Sequence, residues 1–118
     1  MDKAEWSAKL EQFDRIVAQV PGLERKGKTM PYCSDNTYMF ALFNKAGEVG
    51  FRLSKTDQLQ FLEDFDSGPY LSYGATMKDY VRIPESMVQD EKSAAIYLEK
   101  AWKYVQGLPP KKDRKTKK

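Results

Sequence analysis

The 118-residue chain contains no histidine and only one cysteine, Cys33. A single cysteine cannot form an internal disulfide, and a chain without histidine has neither an ordinary zinc ligand set nor a histidine-based catalytic triad. From these absences we expect no catalytic residues, no bound metal and no cofactor. The sequence therefore predicts a protein that is not an enzyme.

Long apolar runs are also missing. The sequence has no run of about 18 apolar residues, so it predicts no transmembrane helix. Residues 1–6, MDKAEW, lack the basic stretch followed by an apolar stretch that is typical of a secretory signal. We therefore expect a cytoplasmic protein without a membrane partner.

The excess positive charge is confined to the end of the chain. The formal net charge is +3 at pH 7, yet residues 111–118, KKDRKTKK, alone carry +5, which leaves −2 for residues 1–110. A folded nucleic-acid-binding domain is expected to hold its excess positive charge on a structured face. We predict a single domain over residues 1–110 and a basic disordered tail over residues 111–118.

Two roles remain open for this tail. Its cationic side chains would bind phosphate groups and release counterions, which is the usual basis of nonspecific nucleic-acid binding. Alternatively, the tail would be a solubilising disordered end. The cationic residues concerned are Lys111, Lys112, Arg114, Lys115, Lys117 and Lys118.

Residues 38–53, YMFALFNKAGEVGFRL, are the most apolar part of the chain. The run YMFALF has the length of a strand that is buried on both faces, and NKAG contains the residues that favour a turn. After the turn, Val49, Phe51 and Leu53 alternate with small or polar residues, which is typical of a strand. The segment predicts a β-hairpin at the centre of the core.

Three helices are predicted around this hairpin. Residues 2–20 and 90–106 carry apolar side chains at helical spacing. Residues 55–65 follow a capping box and form a shorter middle helix. We expect the middle helix to bury Leu59, Leu62 and Phe65.

The remaining elements complete an α+β arrangement. Residues 23–33 predict a weak edge strand, because Pro31 cannot donate to a central ladder, and residues 77–83 predict the last strand. Gly107 is expected to end the last helix in a left-handed conformation. The order of elements predicts an antiparallel sheet of about four to five strands with an N-terminal, a middle and a C-terminal helix packed on it.

Two sequence motifs and the last helix carry a family resemblance. The sequence MKDYVRIPE at residues 77–85 and the sequence LPPK at residues 108–111 resemble the TfoX/Sxy N-terminal-domain family of small bacterial proteins. The resemblance extends from about Leu10 to Lys111. It implies an α+β fold similar to small secretion-chaperone-like domains. It also implies a regulatory or adaptor role through contacts with an unknown protein partner, by a monomer or a homodimer.

Tyrosine and cationic residues cluster just before and within the last predicted strand. A tyrosine-rich surface of this kind would stack the bases of single-stranded nucleic acid. It would equally suit a peptide, because tyrosine and arginine are enriched at protein interfaces, and ordinary sheet residues that cover the core are a third interpretation. The candidate interaction surface consists of Tyr70, Tyr73, Lys78, Tyr80 and Arg82.

Cys33 is the one nucleophilic thiol. Arg25, Lys26 and Lys28 are close to it in sequence and would lower its pKa if they also lay close in space. The other interpretation is a small hydrophobic residue at the end of a strand, since unpaired cysteines are usually buried and inert.

Overall fold

The computed structural model describes residues 2–72 and 74–111. The helices in this part of the chain are α1 (Lys3–Ala18), α2 (Lys55–Asp64), α3 (Glu85–Gln89) and α4 (Glu91–Gln106). The strands are β1 (Tyr32–Asp35), β2 (Tyr38–Phe43), β3 (Val49–Arg52), β4 (Leu71–Ser72), β5 (Ala75–Thr76) and β6 (Tyr80–Arg82). An antiparallel sheet runs in the order β1-β2-β3-β6, and β4 and β5 form a separate antiparallel pair. The predicted α+β fold, with helices packed on an antiparallel sheet, is confirmed. No described helix is both long enough and apolar enough to cross a bilayer.

One face of the four-stranded sheet is covered by helices. The register aligns Cys33, Ala41, Phe51 and Val81 in one row across the strands. These side chains are buried in one cluster with the apolar faces of α1 and α4. The Phe13 ring of α1, for example, stacks on a β2 ring in this cluster. We call this the helix-covered face.

The opposite face has a thinner cover. Leu42 of β2 and Gly50 of β3 are paired, and both are on the face of the sheet opposite the helices. The ring of Tyr70, from the segment before β4, lies directly on Gly50: a Cβ at this position would be 2.6 Å from the ring. Tyr80 completes this second cluster. We call it the tyrosine-covered face.

Each edge of the four-stranded sheet is partly paired by a neighbouring segment. On the β1 side, Tyr32 exchanges two backbone hydrogen bonds with Lys26, of 2.7 and 2.9 Å. On the β6 side, the Arg82 amide donates to the Gly68 carbonyl at 3.4 Å, and the Ser67 hydroxyl donates to the Arg82 carbonyl. An added strand would therefore have to displace existing hydrogen bonds.

The middle helix buries Phe61 and not the predicted Leu59 and Leu62, whereas Phe65, also predicted, is half-buried and packs against the core. Phe61 is buried, whereas Leu59 is 61% and Leu62 45% exposed. The Phe61 ring lies 4.8 Å from that of Phe65 and 5.1 Å from that of Tyr97 on α4. Phe61 is in α2 and Phe65 is the extended residue that ends it, and the contacts of both rings with Tyr97 place the Phe61 side of α2 inward.

The other strand and helix boundaries also differ in detail. The edge strand begins only at Tyr32, and within residues 23–31 just Lys26 forms an isolated bridge to it. The last strand is shortened to Tyr80–Arg82, because Asp79 has a φ of 72° and belongs to a turn. Gly107 has a φ of −87° and so is not left-handed. The end of α4 is bound instead by a side chain described below.

Candidate functional site

Two members of the predicted interaction surface are buried. Tyr70 is 0% and Tyr80 8% exposed, and their rings are 6.2 Å apart. The Tyr70 hydroxyl donates to the Glu48 carbonyl at 3.1 Å, and the Tyr80 hydroxyl donates to the Met39 carbonyl at 2.7 Å. For these two residues the third interpretation holds: they are not part of an exposed surface, because both rings cover the sheet.

The other three members of that surface are placed differently. Lys78 is exposed and Arg82 is half-buried, with a guanidinium nitrogen beside Gly68. Tyr73 lies outside the described residues. An interaction role for these three residues stays a prediction.

Cys33 is fully buried in the helix-covered cluster. Burial raises the pKa of its thiol to about 12, and the opposing charge of Arg25 is the smaller effect. Arg25 itself is bound to the Asp14 carboxylate at 2.8 Å. At neutral pH the Cys33 thiol is therefore protonated and enclosed, as expected for an inert packing residue.

A concave site lies beside the β4–β5 pair. It is an open groove of about 840 Å³, within the size range of ligand sites. We call it the hairpin groove. Its lining combines apolar side chains with a few polar ones, namely Thr29, Met30, Asn44, Lys45, Ala46, Glu48, Leu71, Ser72 and Gly74.

Asn44 holds the two sides of the hairpin groove together. Its side-chain amide donates to the Leu71 carbonyl at 2.7 Å, which attaches the β2–β3 turn to β4. The same side chain closes its own turn by accepting the Glu48 amide at 2.8 Å. On the other side, the Trp6 indole donates to the Asn44 carbonyl at 3.1 Å. The wall of the groove is thus fixed by one residue that is only 6% exposed.

Two features of the hairpin groove are energetically unfavourable in the unbound protein. Leu71 is 53% exposed although it is a large apolar residue. Ser72 is only 5% exposed, and its Oγ has no hydrogen-bond partner among the residues that the structure describes. A buried hydroxyl without a partner costs about 1 to 3 kcal/mol. Both features would be relieved by a ligand that covers Leu71 and supplies a polar group.

A second, more polar groove of about 500 Å³ lies at the β1–β2 turn. We call it the turn groove. The turn itself is unusual, because Asn36 and Thr37 both have positive φ, at 52° and 71°, although neither is glycine. The groove is lined by Lys26, Tyr32, Ser34, Asp35, Asn36, Thr37, Tyr38 and Met39.

Among the described residues that line the turn groove, Asp35 is the one carboxylate. Its Oδ2 accepts from the Trp102 indole at 2.7 Å and from the Gln106 amide at 3.3 Å. Its Oδ1 accepts from the Asn36 backbone amide at 2.7 Å. These hydrogen bonds, with that of Trp102 the largest, hold the pKa of Asp35 below its usual range. The carboxylate is therefore ionised at neutral pH.

The end of α4 is fastened to the same turn. The Asn36 side chain donates to the carbonyls of Val105 and Leu108, both at 2.7 Å, and so binds the end of α4 and the segment that follows it. The Tyr38 hydroxyl donates to the Pro109 carbonyl at 2.6 Å. The Lys111 amide donates to Thr37 Oγ1 at 2.8 Å. The basic tail therefore starts at the rim of the turn groove.

Of the predicted tail cations, Lys111 alone is within the described residues. Its Nζ lies 4.9 Å from the centroid of the Tyr38 ring, and the Arg52 Cζ lies 5.1 Å from the same centroid. The remaining tail cations, which are Lys112, Arg114, Lys115, Lys117 and Lys118, lie outside the described residues.

Sequence reasoning missed both grooves. The hairpin groove joins Met30, Asn44 and Leu71, which are far apart in sequence, so no local pattern could indicate it. Two weak signals existed for the turn groove: Asn36 is a residue that tolerates positive φ, and Tyr32 is an aromatic residue beside a proline. Within residues 2–72 and 74–111, no group of three side chains is placed to hold a metal ion.

Comparison with family models, curated proteins and solved structures found no match to the chain. The resemblance to the TfoX/Sxy N-terminal-domain family therefore stays a prediction from the sequence motifs.

Proposed function

We propose that the chain is a small non-enzymatic adaptor or regulatory domain that binds an extended segment of a partner protein in the hairpin groove. The observation that carries the proposal is the combination, in one groove of about 840 Å³, of an exposed Leu71 with a buried Ser72 hydroxyl that lacks a described partner. An apolar anchor beside a backbone amide has both properties that this site needs. The cytoplasm of a bacterium is the proposed setting, in line with the sequence resemblance.

The apolar part of the ligand is indicated by the open side of the groove. Leu71 and Ala46 are exposed and Met30 is half-buried, so an apolar side chain placed between them would be removed from water. Burial of apolar surface is the main favourable contribution to protein association. Lys45 and Glu48, on the β2–β3 turn, add one charge of each sign and would orient the ligand.

The polar part of the ligand is indicated by Ser72. A hydroxyl both donates and accepts, so either the amide or the carbonyl of a peptide unit would satisfy it. Because the Ser72 Oγ has less than 1 Å² of accessible surface, peptide binding would include a small shift of β4 that opens it. Strand addition to the four-stranded sheet is the less favourable mode, because Tyr32 on one edge and Arg82 on the other already have hydrogen-bond partners, at Lys26 and Gly68. A side-chain anchor in the hairpin groove does not disturb those bonds.

The test is selection of a displayed random peptide library on the full chain, followed by affinity measurement with fluorescently labelled peptides. We expect Leu71→Asp to weaken the selected peptides at least about tenfold, because a desolvated charge would replace the apolar anchor. The matched control is Leu59→Asp, since Leu59 is an equally exposed leucine on α2. Failure to select any peptide, or equal binding by both variants, would refute the proposal.

A further inference from the structure

We propose that the turn groove and the basic segment that begins at Lys111 together bind single-stranded nucleic acid, with the cations on the phosphates and the Tyr32 ring against a base. This site shares no lining residue with the hairpin groove and goes beyond the protein binding proposed above.

The folded domain contributes three cations around the turn groove. Lys26 lines the groove, and its Nζ is held by the Ser34 hydroxyl at 3.1 Å. The Arg52 Cζ and the Lys111 Nζ lie 5.1 and 4.9 Å from the centroid of the Tyr38 ring. Arg52 also pairs with the Asp79 carboxylate at 3.6 Å, so Lys26 and Lys111 are the cations of the folded domain that we assign to the phosphates. The groove is therefore flanked by positive charge on two sides.

Because the chain is attached to the β1–β2 turn just before residues 112–118, the cations of those residues and the cations around the groove would bind the same ligand. The Pro109 carbonyl and the Lys111 amide are bound to the β1–β2 turn, so the chain leaves the folded domain at the groove rim. Cations linked to an occupied site act at a high effective concentration and strengthen binding without new contacts to the domain. A tail attached elsewhere would bind phosphate independently of the groove.

The aromatic lining distinguishes nucleic acid from other polyanions. Tyr32 is half-buried, lines the groove and packs on the tyrosine-covered cluster, which holds its ring in place. Stacking on a fixed aromatic ring contributes to the binding of any base. Every nucleotide carries a planar base, whereas an acidic peptide carries a planar ring only where it contains an aromatic residue, and in a duplex the bases are already stacked. The groove therefore favours a single strand.

Asp35 sets the path of the phosphates. Its carboxylate is negative at neutral pH, but its oxygens already accept from Trp102, Gln106 and the Asn36 amide. Although these hydrogen bonds occupy the oxygens of Asp35, the charge of the carboxylate repels a phosphate placed directly over it. The backbone of the strand is consequently expected along the Lys26 and Lys111 sides of the groove.

The first test is a salt titration of the full chain against a labelled oligothymidylate of about 12 nucleotides. With six tail cations and Lys26 in contact, log affinity should fall with log salt with a slope of magnitude about 5, since each contact on a single strand contributes about 0.7. Replacing Lys112, Lys115, Lys117 and Lys118 by glutamine should lower that slope by about 3 and leave measurable binding. Complete loss of binding in this variant would show that the folded domain does not contribute to binding, which would overturn the proposal.

The second test separates the groove from the overall charge. Lys26→Ala should lower the slope by about 0.7. The control is Lys92→Ala near the start of α4, about 21 Å from Gln106 at the end of α4, and it should leave the slope unchanged at low salt. Tyr32→Leu should weaken binding about 5-fold to 100-fold through lost stacking, while Tyr32→Phe binds as the unmodified chain does. Equal effects of the two lysine variants, or of the two tyrosine variants, would overturn the proposal. Equally tight binding of a duplex or of polyglutamate would do the same.

Discussion

The two faces of the four-stranded sheet are covered in opposite ways. On one face, α1 and α4 bury a continuous apolar cluster that contains the Phe51 ring. On the other face, the cover is a small cluster around Leu42, Tyr70 and Tyr80, reached by a segment with little regular structure. The thick cover provides most of the buried apolar area and hence most of the stability. The thin cover leaves space, and its margin contains both grooves: Tyr32 and Met39 pack against this cluster and line the turn groove.

Phe51 offers the strongest test of the helix-covered face. Its ring is completely buried in the middle of the sheet, so Phe51→Ala should lower the free energy of unfolding by about 4 kcal/mol through lost burial and a cavity. Urea unfolding followed by circular dichroism measures the change. The control, Phe51→Leu, keeps most of the volume and should cost less than about 1.5 kcal/mol. A loss below about 2 kcal/mol for alanine would mean that this face is not the main source of stability.

Gly50 tests the other face one residue away on the same strand. A Cβ at this position would lie 2.6 Å from the Tyr70 ring, so Gly50→Ala should cost about 3 kcal/mol through overpacking. Gly74→Ala measures a different cost, that of backbone strain without a clash. Gly74 has a φ of 76° with no atom within 4 Å of an added Cβ, whereas Gly50 has no positive φ, and about 1 kcal/mol is expected for Gly74→Ala.

A double variant identifies the cause at Gly50. In the background Tyr70→Leu the ring is absent, so most of the cost of Gly50→Ala should disappear, which is a positive coupling in a double-mutant cycle. Additive losses would show that the clash with Tyr70 does not determine the effect. The thin cover would then be more adaptable than the contact on Gly50 indicates.

The helix-covered face could be predicted from the sequence because its elements are periodic. Phe13, Ile16 and Val17 repeat at helical spacing, and Val49 and Phe51 repeat at strand spacing. Each pattern is contained within one element, so no information from distant residues is needed. The middle helix is the exception, because its inward side is fixed by an aromatic contact with Tyr97, which is far away in sequence.

The tyrosine-covered face could not be predicted in this way. Tyrosine is common both in interfaces and in the interior, and the burial of Tyr70 depends on the absence of a side chain at Gly50, in a different element. The register that pairs Leu42 with Gly50 is also a tertiary property. Both grooves inherit this difficulty, since their linings come from segments that meet only in the folded protein.

Asn36 connects the turn groove to the helix-covered face, and a smaller effect is expected there. Asn36→Ala removes two hydrogen bonds to carbonyls at the end of α4. It also places alanine, which tolerates positive φ less well than asparagine does, at a φ of 52°. We expect a loss of about 2 kcal/mol, of which the backbone conformation contributes about half. Asn36→Gly keeps the conformation accessible and should cost about 1 kcal/mol. Equal losses in thermal unfolding would assign the whole effect to the hydrogen bonds.

Asp35 should give the smallest effect, visible in the pH dependence of stability. The folded protein lowers the pKa of this carboxyl below its ordinary value of 3.8, because the ionised form accepts from Trp102, Gln106 and the Asn36 amide. A lowered pKa in the folded state contributes stability above the ordinary pKa, and this contribution is lost as the pH falls through the folded value. Asp35→Asn should therefore reduce stability at pH 7 and make the decline on acidification below about pH 4 shallower.

Urea unfolding of both proteins at several pH values between neutral and strongly acidic measures this difference, in which the contributions of the other carboxylates cancel. Parallel acid profiles would show that the hydrogen bonds to Asp35 do not favour its charged form. In that case the carboxylate would have less reason to remain ionised beside the turn groove, and its repulsion of a bound phosphate would no longer explain a strand path along Lys26 and Lys111.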